Sequence, residues 1–453
     1  MEQIIKANGA ILGMLGKAKQ SASGYRLIKY CVPLQIEEGT LLFNVLTREM
    51  VLLTAEEYAD ILASEYLRKQ WFVIPEELDE KKLVEMVRWV SGNIRKEPEY
   101  ITDYTILTTT DCNARCFYCY ELGRARIPMS EETARKTADF IKSHCDGKKV
   151  RISWFGGEPL YNYSVIDLIC QSLQAEGVDY QSTMVSNGYL FDDAMIAKAV
   201  ESWRLKRVQI SLDGTEKVYN RSKAFVYREG SAYQVVTGNI ARLLEAGISV
   251  FVRMNMDFHN VDDLAVLADE LAQRFVGKKG LKVYAHLIFD GKTPWNERYS
   301  LEEWTRLFDA KRQLEDRLME HGLASTGSRG LPRELPYCHC MADNGRAVVI
   351  VPDGHLGRCE HFSESEFIGH IDSEERDKAV IAGWRERCDA LPECGDCFHY
   401  PECYELKKCP DRMACIEPKR DAIRRRTERA MAVEFHRWQE HDVPETDEDE
   451  DTR

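Results

Sequence analysis

Between residues 104 and 289, six short apolar runs rich in β-branched residues alternate with amphipathic helical stretches. The runs are YTILTTT, VRISWF, STMVS, RVQISL, SVFVRMNMD and LKVYAHLIF, and stretches such as SEETARKTADFIKSH and QVVTGNIARLLEAG separate them. Alternation of this kind is typical of βαβ units, whose strands pair in parallel within one sheet. The sequence therefore predicts an α/β fold in which residues 99–325 form a partial (β/α)6 barrel of the TIM type.

The regions on either side of this barrel follow other patterns. Residues 1–98 combine β-like runs such as TLLFNVLT with helical periodicity in AEEYADILASEYL and EKKLVEMVRWVSGN, which predicts a small α+β domain. Residues 326–418 hold nine of the fifteen cysteines and little helical periodicity, so we expect bound metal rather than an apolar core to fix their fold. Residues 419–440 predict a basic amphipathic helix, and the acidic stretch 441–453 is expected to be disordered.

Charge and composition restrict the partners of the chain. Its 61 lysines and arginines face 75 aspartates and glutamates, and the net charge of −14 argues against a nucleic-acid partner. The apolar runs are shorter than the ~18 residues of a membrane span and the start lacks a secretory pattern, so we expect a cytoplasmic protein with no membrane partner. In a reducing compartment, metal binding explains fifteen cysteines better than disulfides do.

Three cysteines, Cys112, Cys116 and Cys119, directly follow the first predicted strand of the barrel. Loops at this end of the strands build the active sites of parallel barrels. A zinc site, or an iron–sulfur cluster with four protein ligands, would need a fourth Cys or His, and none follows in this loop. Three thiolates on a four-iron cluster would leave one iron open for a small chelating ligand. A buried cysteine trio or a zinc knuckle is the alternative at this point.

Glycines and short polar residues end the next three strands. These motifs are Gly156-Gly157-Glu158-Pro159, Ser186-Asn187-Gly188 and Ser211-Leu212-Asp213-Gly214. Two adjacent glycines let the backbone approach a ligand closely. Together with the cysteine loop, the motifs resemble the CxxxCxxC and GGEP signatures of the radical S-adenosylmethionine (SAM) enzymes, and the resemblance continues strand by strand to about residue 290.

The resemblance implies a 4Fe-4S cluster on Cys112, Cys116 and Cys119, with SAM chelating its open iron. Reductive cleavage of SAM would then give a 5′-deoxyadenosyl radical that abstracts hydrogen from a substrate carbon. By the same resemblance, the residues implied in SAM binding are Tyr118, Gly156, Gly157, Glu158, Ser186, Asn187, Ser211, Asp213 and Arg221. Arg253 and Asn255, at the end of the fifth strand, are further candidates.

The later cysteines resemble the SPASM extension of radical SAM enzymes, which holds two auxiliary 4Fe-4S clusters. The resemblance implies one ligand set of Cys340, Cys359 and Cys409 with Cys338, and a second set of Cys394, Cys397, Cys403 and Cys415. Five residues separate Cys403 from Cys409, where the family usually has three, so the ligand assignment stays open. Cys388 is left over as a replacement for Cys338, a spare thiol or a structural residue, and a zinc ribbon is the alternative for the region.

Peptide and protein modification is what the resemblance implies for function, with three 4Fe-4S clusters, SAM, and a reductant such as flavodoxin or ferredoxin. The N-terminal domain resembles the winged-helix-like domains that bind a leader peptide by strand addition, with a lid on the barrel as the alternative. Our leading hypothesis is an enzyme that installs a thioether or carbon–carbon cross-link in a ribosomally made precursor peptide.

Two other functions remain open at this stage. One is an anaerobic sulfatase-maturase-like dehydrogenase, and the other, of a different class, is an iron–sulfur electron carrier or scaffold.

Glu360, directly after Cys359, is the candidate catalytic base, with an acid on a solvated loop as its alternative.

Overall fold

The computed structural model describes most of the chain. The described residues are 1–16, 22–94, 99–121, 123–227, 229–288, 295–324, 330–336, 338, 340–361, 366–388, 390–413 and 415–442. Of the acidic stretch 441–453, only the first two residues lie in this part, at the end of a helix. The prediction of a disordered tail therefore concerns residues outside the described ones.

The N-terminal part is α+β, as the sequence predicts. Its strands are β1 (Glu2–Ile5), β2 (Tyr25–Leu27), β3 (Cys31–Ile36), β4 (Gly39–Asn44), β5 (Glu49–Leu53) and β6 (Val73–Pro75), and its helices are α1 (Gly9–Leu15), α2 (Ala55–Ala59), α3 (Glu65–Lys69) and α4 (Glu80–Ile94). An antiparallel sheet has the order β1-β5-β4-β3, and β2 pairs with β6. The helix expected over residues 55–67 is broken, because the Ser64 side chain accepts from Leu67 N–H and starts a new helix.

Six parallel strands follow, all in predicted places. They are β7 (Asp103–Thr109), β8 (Val150–Gly156), β9 (Tyr180–Ser186), β10 (Leu205–Ser211), β11 (Ser249–Met256) and β12 (Leu281–Leu287). Each strand pairs in parallel with the next one along the chain. The helices are α5 (Glu131–His144), α6 (Tyr163–Ala175), α7 (Asp193–Glu201), α8 (Glu216–Lys223), α9 (Ala232–Glu245), α10 (Val261–Arg274), α11 (Trp295–Arg298) and α12 (Leu301–Glu320).

The two faces of this sheet differ in polarity. Alternate residues such as Ile152, Trp154 and Val208 are buried against the helices in the main core. The residues between them line the inner face, where Tyr284 donates a hydrogen bond to Gln209 Oε1 at 2.7 Å beside a cavity of about 280 Å³. Because side chains alternate along a strand, one face packs on helices while the other surrounds a half-polar interior.

The cysteine-rich region is continuous with the barrel sheet. It contributes β13 (Ala347–Ile350), β14 (His355–Gly357), β15 (Gly369–His370) and α13 (Lys378–Gly383), and the chain then forms α14 (Glu417–Asp442). β13 pairs in parallel with β7, so the sheet has nine strands in the order β12-β11-β10-β9-β8-β7-β13-β14-β15. Strand pairing with the barrel sheet therefore helps to fix the position of this region, in addition to any metal that it binds.

The N-terminal part shares its core with distant parts of the chain. Leu335, Phe398, Tyr400, Met431 and Phe435 are buried in the same apolar cluster as the N-terminal strands. Helix α14 therefore joins the N-terminal part to the cysteine-rich region. No helix of the described ranges is long and apolar enough to cross a membrane.

Replacing Phe435 by alanine tests this shared core. The side chain is 5% exposed, and we expect Phe435→Ala to cost about 3–5 kcal/mol of stability in denaturant-induced unfolding. The control is Arg426→Ala on the exposed side of the same helix, which should change stability by less than about 0.5 kcal/mol. Equal effects of the two substitutions would contradict the packing of α14 described above.

Candidate active site

Parallel pairing brings the predicted motifs to one edge of the sheet. The register aligns Thr109 with Gly156, Ile210 with Ser186, and Ser211 with Arg253. The carboxyl ends of all six strands therefore lie together, and the cysteine loop 111–121 lies above them. This is the edge at which folds of this kind bind ligands.

Two glycines let β8 end directly against the cysteine loop. Gly156 has φ of 123°, and a Cβ there would meet the Thr109 carbonyl oxygen at 2.1 Å. A Cβ on Gly157 would meet the Asp111 carbonyl oxygen at 2.3 Å. The Gly157 and Glu158 N–H groups donate to the Thr109 and Asp111 carbonyls at 3.0 and 2.9 Å. Any larger residue at either glycine would push the loop away from the sheet.

Glu158 ties the end of β8 to the end of β9. Its fully buried carboxylate accepts from Ser186 Oγ and from the Asn187 N–H, both at 2.8 Å. Burial raises the pKa of Glu158 to about 7. The Asn187 side chain in turn donates to Asn113 Oδ1 at 2.6 Å, inside the cysteine loop. The structure thus brings these predicted residues together, with the Glu158 and Ser186 side chains bonded to each other.

A buried lysine that the sequence analysis did not select organises the neighbouring strand ends. Lys223 Nζ lies 2.6 Å from Tyr118 Oη, 2.7 Å from Ser211 Oγ and 2.9 Å from Asp213 Oδ2. Asn255 Nδ2 donates to the other Asp213 oxygen at 2.9 Å, and the Tyr118 hydroxyl also bonds Asp213. Burial alone would lower the pKa of Lys223, but Asp213 and the other neighbours raise it. Lys223 is therefore a permanent cation between the cysteine loop and the sheet.

The backbone of Lys223 also contacts the cysteine loop. Its carbonyl accepts from the Arg115 N–H at 2.9 Å and lies 3.9 Å from Cys116 Sγ. Arg221, the predicted residue on the same helix, is exposed. Arg221 and Lys223 are two positions apart on α8, so their side chains point about 200° apart around the helix axis. Because Lys223 points into the protein, Arg221 points outward. The structure brings Lys223, and not Arg221, to Tyr118 and Asp213.

The three thiols of the loop lie close together. The pKa of Cys112 is raised to about 12, first by burial and then by the charges of Glu158, Cys116 and Cys119. A hydrogen bond from the Ala114 N–H offsets part of this increase. Asn113 Nδ2 is buried beside Cys112 without a hydrogen-bond partner. A buried donor of this kind is rarely left unpaired in native proteins. Three thiols fit a cluster of iron, which thiolates bind as ligands, and the Asn113 donor fits an acceptor atom of a group bound beside them.

The later cysteines fall into two groups, judged by which thiols influence each other electrostatically. Cys338, Cys340, Cys359 and Cys409 form the Cys340 group. Cys394, Cys397, Cys403 and Cys415 form the Cys397 group. Cys388 lies instead with its Sγ 2.7 Å from Arg412 Nη1. In the part of the chain that the structure describes, no three His, Cys, Asp or Glu side chains are arranged to hold a single metal ion.

Glu360 lies between the Cys340 group and the cysteine loop. Its Oε2 is 3.8 Å from Cys359 Sγ. The pKa of Tyr120 is raised mainly by burial, next by the charge of Glu121 and then by that of Glu360. The Tyr120 ring lies 4.2 Å from that of His361. Burial also raises the pKa of Glu121 to about 7. The sequence analysis missed these neighbours, although their positions within two residues of Cys119 or Cys359 were a usable signal.

A second polar chain crosses from the barrel to the cysteine-rich region. Arg253 Nη2 lies 2.8 Å from His286 Nδ1, and His286 Nε2 lies 3.6 Å from Asp411 Oδ2. Arg253 and His286 sit at the ends of β11 and β12, and Asp411 follows Cys409 by two residues. Side chains of both regions therefore surround the space above the sheet.

Comparison with known proteins relates the barrel to one superfamily. Residues 106–271 match the Radical SAM superfamily. A probable GTP 3′,8-cyclase of Archaeoglobus fulgidus is 28% identical over 156 residues, 34% of this chain and 49% of that protein, so the chain spans about half its length. The GTP 3′,8-cyclase of Limosilactobacillus fermentum is 31% identical over 298 residues, 59% of this chain and 81% of that protein. A serine-type anaerobic sulfatase-maturating enzyme of Klebsiella aerogenes is 22% identical, covering 60% and 69%.

Solved structures share the fold over more of the chain. Native anSMEcpe with bound AdoMet superimposes with a TM-score of 0.54 at 13% identity, covering 75% of this chain and 99% of that chain. Streptococcus suis SuiB bound to precursor peptide SuiA gives 0.52 at 12% identity, covering 86% and 98%. The likeness to SuiB thus extends beyond the barrel.

Removing the buried cation tests the role of Lys223. In Lys223→Met, Asp213 loses its partner inside the protein, and we expect a loss of about 3–5 kcal/mol in the free energy of unfolding. Adding Asp213→Asn removes the unpaired charge and should restore part of that loss. Lys217→Met, on the exposed side of α8, is the matched control and should behave like the wild type. A Lys223→Met protein as stable as the control would contradict the network.

Proposed function

The chain belongs to the radical SAM superfamily, and from that premise we propose that it is a peptide maturase. It would take hydrogen from a ribosomally made precursor peptide and install a thioether or carbon–carbon cross-link. The observation that carries the proposal is the cysteine loop held above the strand ends, beside a second cysteine-rich region built onto the same sheet. An electron carrier or scaffold would have no need for the ligand-binding motifs at this edge.

Cys112, Cys116 and Cys119 would hold a 4Fe-4S cluster, with SAM on its open iron. When bound, these groups supply a carbon-centred radical that takes hydrogen from the substrate. The chain's own part is to position them: Lys223 fixes the loop through Tyr118, and the glycine pair sets the distance from loop to sheet.

Except for Arg221, the other predicted SAM-binding residues lie around the same space. Asn187, Ser211 and Asp213 lie at the ends of β9 and β10, where they would bind the polar groups of SAM. Arg221 would approach SAM from the exposed face of α8. The half-buried space beneath the loop would exclude water from a reactive radical.

The Cys340 group and the Cys397 group would each hold an auxiliary 4Fe-4S cluster. Each group supplies four thiols, which is the number that such a cluster takes when no iron is left open. The thiols do not converge as the ligands of one zinc ion would, among the described residues. Cys388, held by Arg412, would stay outside both clusters. Glu360 would accept a proton from the substrate next to the Cys340 group.

The N-terminal part would bind the leader segment of the precursor in a winged-helix-like manner. Its antiparallel sheet ends in β1 and β3. Pro33 in β3 has no N–H, so strand addition there would lose a main-chain hydrogen bond. Cavities of about 460 and 690 Å³ flank β1, lined by residues that include Ile4, Arg333 and Trp438. We therefore place the leader strand at β1.

The SuiB fold supports a peptide substrate, since it covers 86% of this chain and was solved with a precursor peptide. Electrons would come from a reductant such as flavodoxin or ferredoxin. The cytoplasm would suit the fifteen cysteines, all of which lie among the described residues outside any disulfide.

Two other reactions are favoured by particular relatives. The GTP 3′,8-cyclase of Limosilactobacillus fermentum favours a nucleotide substrate, and the Klebsiella aerogenes enzyme favours oxidation of a sulfatase residue. The cyclase similarity covers 59% of this chain, whereas the SuiB fold covers 86%.

Parallel incubations with SAM and reductant separate these reactions. We expect GTP to stay unchanged and a cysteine-containing peptide encoded beside this gene to lose two hydrogens by mass spectrometry. Conversion of GTP would overturn the maturase proposal. Formation of an aldehyde in a sulfatase-derived peptide would favour the dehydrogenase instead.

Alanine at Cys112, Cys116 and Cys119 together tests the cluster assignment. The triple variant should lose about four irons per chain, retain about eight and stop cleaving SAM, because only the SAM-binding cluster is removed. Iron and sulfide analysis of reconstituted protein measures the loss. The matched control is Cys145→Ala with Cys170→Ala, two buried cysteines in the barrel core. Unchanged SAM cleavage by the triple variant would refute the assignment.

A further inference from the structure

The loop that carries the Cys397 group is built against the N-terminal part. Phe398 and Tyr400 are buried in the N-terminal core, and Cys394 and Cys397 pack against it. The Tyr400 ring also lies 6.4 Å from that of Tyr30, nearly parallel to it. A segment of the cysteine-rich region thus uses a core that belongs to residues more than 300 positions away.

Three cations of the N-terminal part bind this loop. Lys29 Nζ pairs with Asp396 at 2.5 Å, and the Arg48 guanidinium pairs with Glu402. Arg88, on α4, reaches furthest into the loop. Its Nη2 donates to the Cys403 carbonyl at 2.8 Å and also to the Tyr400 carbonyl.

Arg88 differs from the other two cations in its charge balance. Its guanidinium lies 4.5 Å from the ring centre of Tyr400 and 5.0 Å from that of Tyr404. No carboxylate of the described residues forms an ion pair with it, and its buried Nε has no hydrogen-bond partner. A half-buried cation whose hydrogen-bond partners are neutral carbonyls is more stable where negative charge lies nearby. Thiolates that hold an iron–sulfur cluster would provide that charge.

We propose that Arg88 is a positioning residue of the Cys397 group, so that the N-terminal part completes the auxiliary cluster site and raises the reduction potential of its cluster. Arg88 fixes the loop from Tyr400 to Cys403 by two carbonyl hydrogen bonds. Its positive charge stabilises the more negative, reduced state of the cluster, and charge near a cluster is one of the factors that set its potential. The inference rests on the auxiliary clusters of the proposed function.

The test compares Arg88→Met with Arg88→Lys in the full chain after anaerobic reconstitution. Methionine keeps apolar contact with the tyrosines but loses the charge and the donors, whereas lysine keeps the charge. Arg68→Met is the matched control, because Arg68 also covers a tyrosine ring, Tyr25, and donates to a carbonyl, but touches no cysteine loop. Potentiometric titration followed by electron paramagnetic resonance measures each cluster's midpoint potential, and iron analysis measures its retention.

We expect Arg88→Met to lower the midpoint potential of one auxiliary cluster, or to lose about four irons, with SAM cleavage retained. Arg88→Lys should recover part of the potential, and Arg68→Met should match the wild type. Full iron with all potentials unchanged in Arg88→Met would overturn the proposal. A wild-type chain with about four irons instead of twelve would refute the auxiliary clusters themselves, which is a separate failure.

Hydrogen exchange decides the question if the Arg88 variants do not fold. In Cys394→Ser with Cys397→Ser, loss of the cluster should speed exchange in α4 and around Lys29 and Tyr30, which contact the loop, but not in α5. Unchanged exchange in α4 and around Lys29 and Tyr30 would show that the N-terminal part does not complete the site, and would overturn the proposal.

Discussion

Backbone-to-backbone contact between the ends of β7 and β8 is the constraint on which the site depends. Gly156 and Gly157 bring β8 against the carbonyls of Thr109 and Asp111, at distances that a Cβ would not allow. The cysteine loop is thereby held directly above the sheet. Glu158 and Asn187 connect the same loop to β9, and Lys223 connects it to β10. Three successive strand ends thus fix a loop that has little apolar core of its own.

The same principle extends to the cysteine-rich region, which is supported from two sides. β13 adds to the barrel sheet beside β7, so the Cys340 group lies near the cysteine loop through the contact of His361 with Tyr120. On the other side, the Cys397 group packs on the N-terminal core. The three parts of the chain therefore form a connected structure in which a change at the N-terminal part can reach the loop of the Cys397 group. This arrangement suits the function proposed above, which combines peptide binding with electron transfer.

Local patterns predicted the barrel well, because each strand and helix carries its own periodicity. The sequence analysis missed α12, although Ser300 and Glu303 form a capping box at its start. It also missed β13 beside β7, since strand pairing between distant segments leaves no local signal. Arg221 and Lys223 show the limit at the site itself: both cations fit the motif, and only the rotation of α8 decides which one is buried. The two cysteine groups came from a family resemblance, because spacing alone does not reveal which thiols meet in space.

Detection of 5′-deoxyadenosine, with iron and sulfide analysis of the same reconstituted wild-type sample, tests the central claim most directly. The account predicts that the chain, given SAM and a strong reductant without oxygen, releases 5′-deoxyadenosine and carries about twelve irons. Intact SAM in a sample that holds zinc in place of iron would contradict it, and would leave the cysteine loop a structural element.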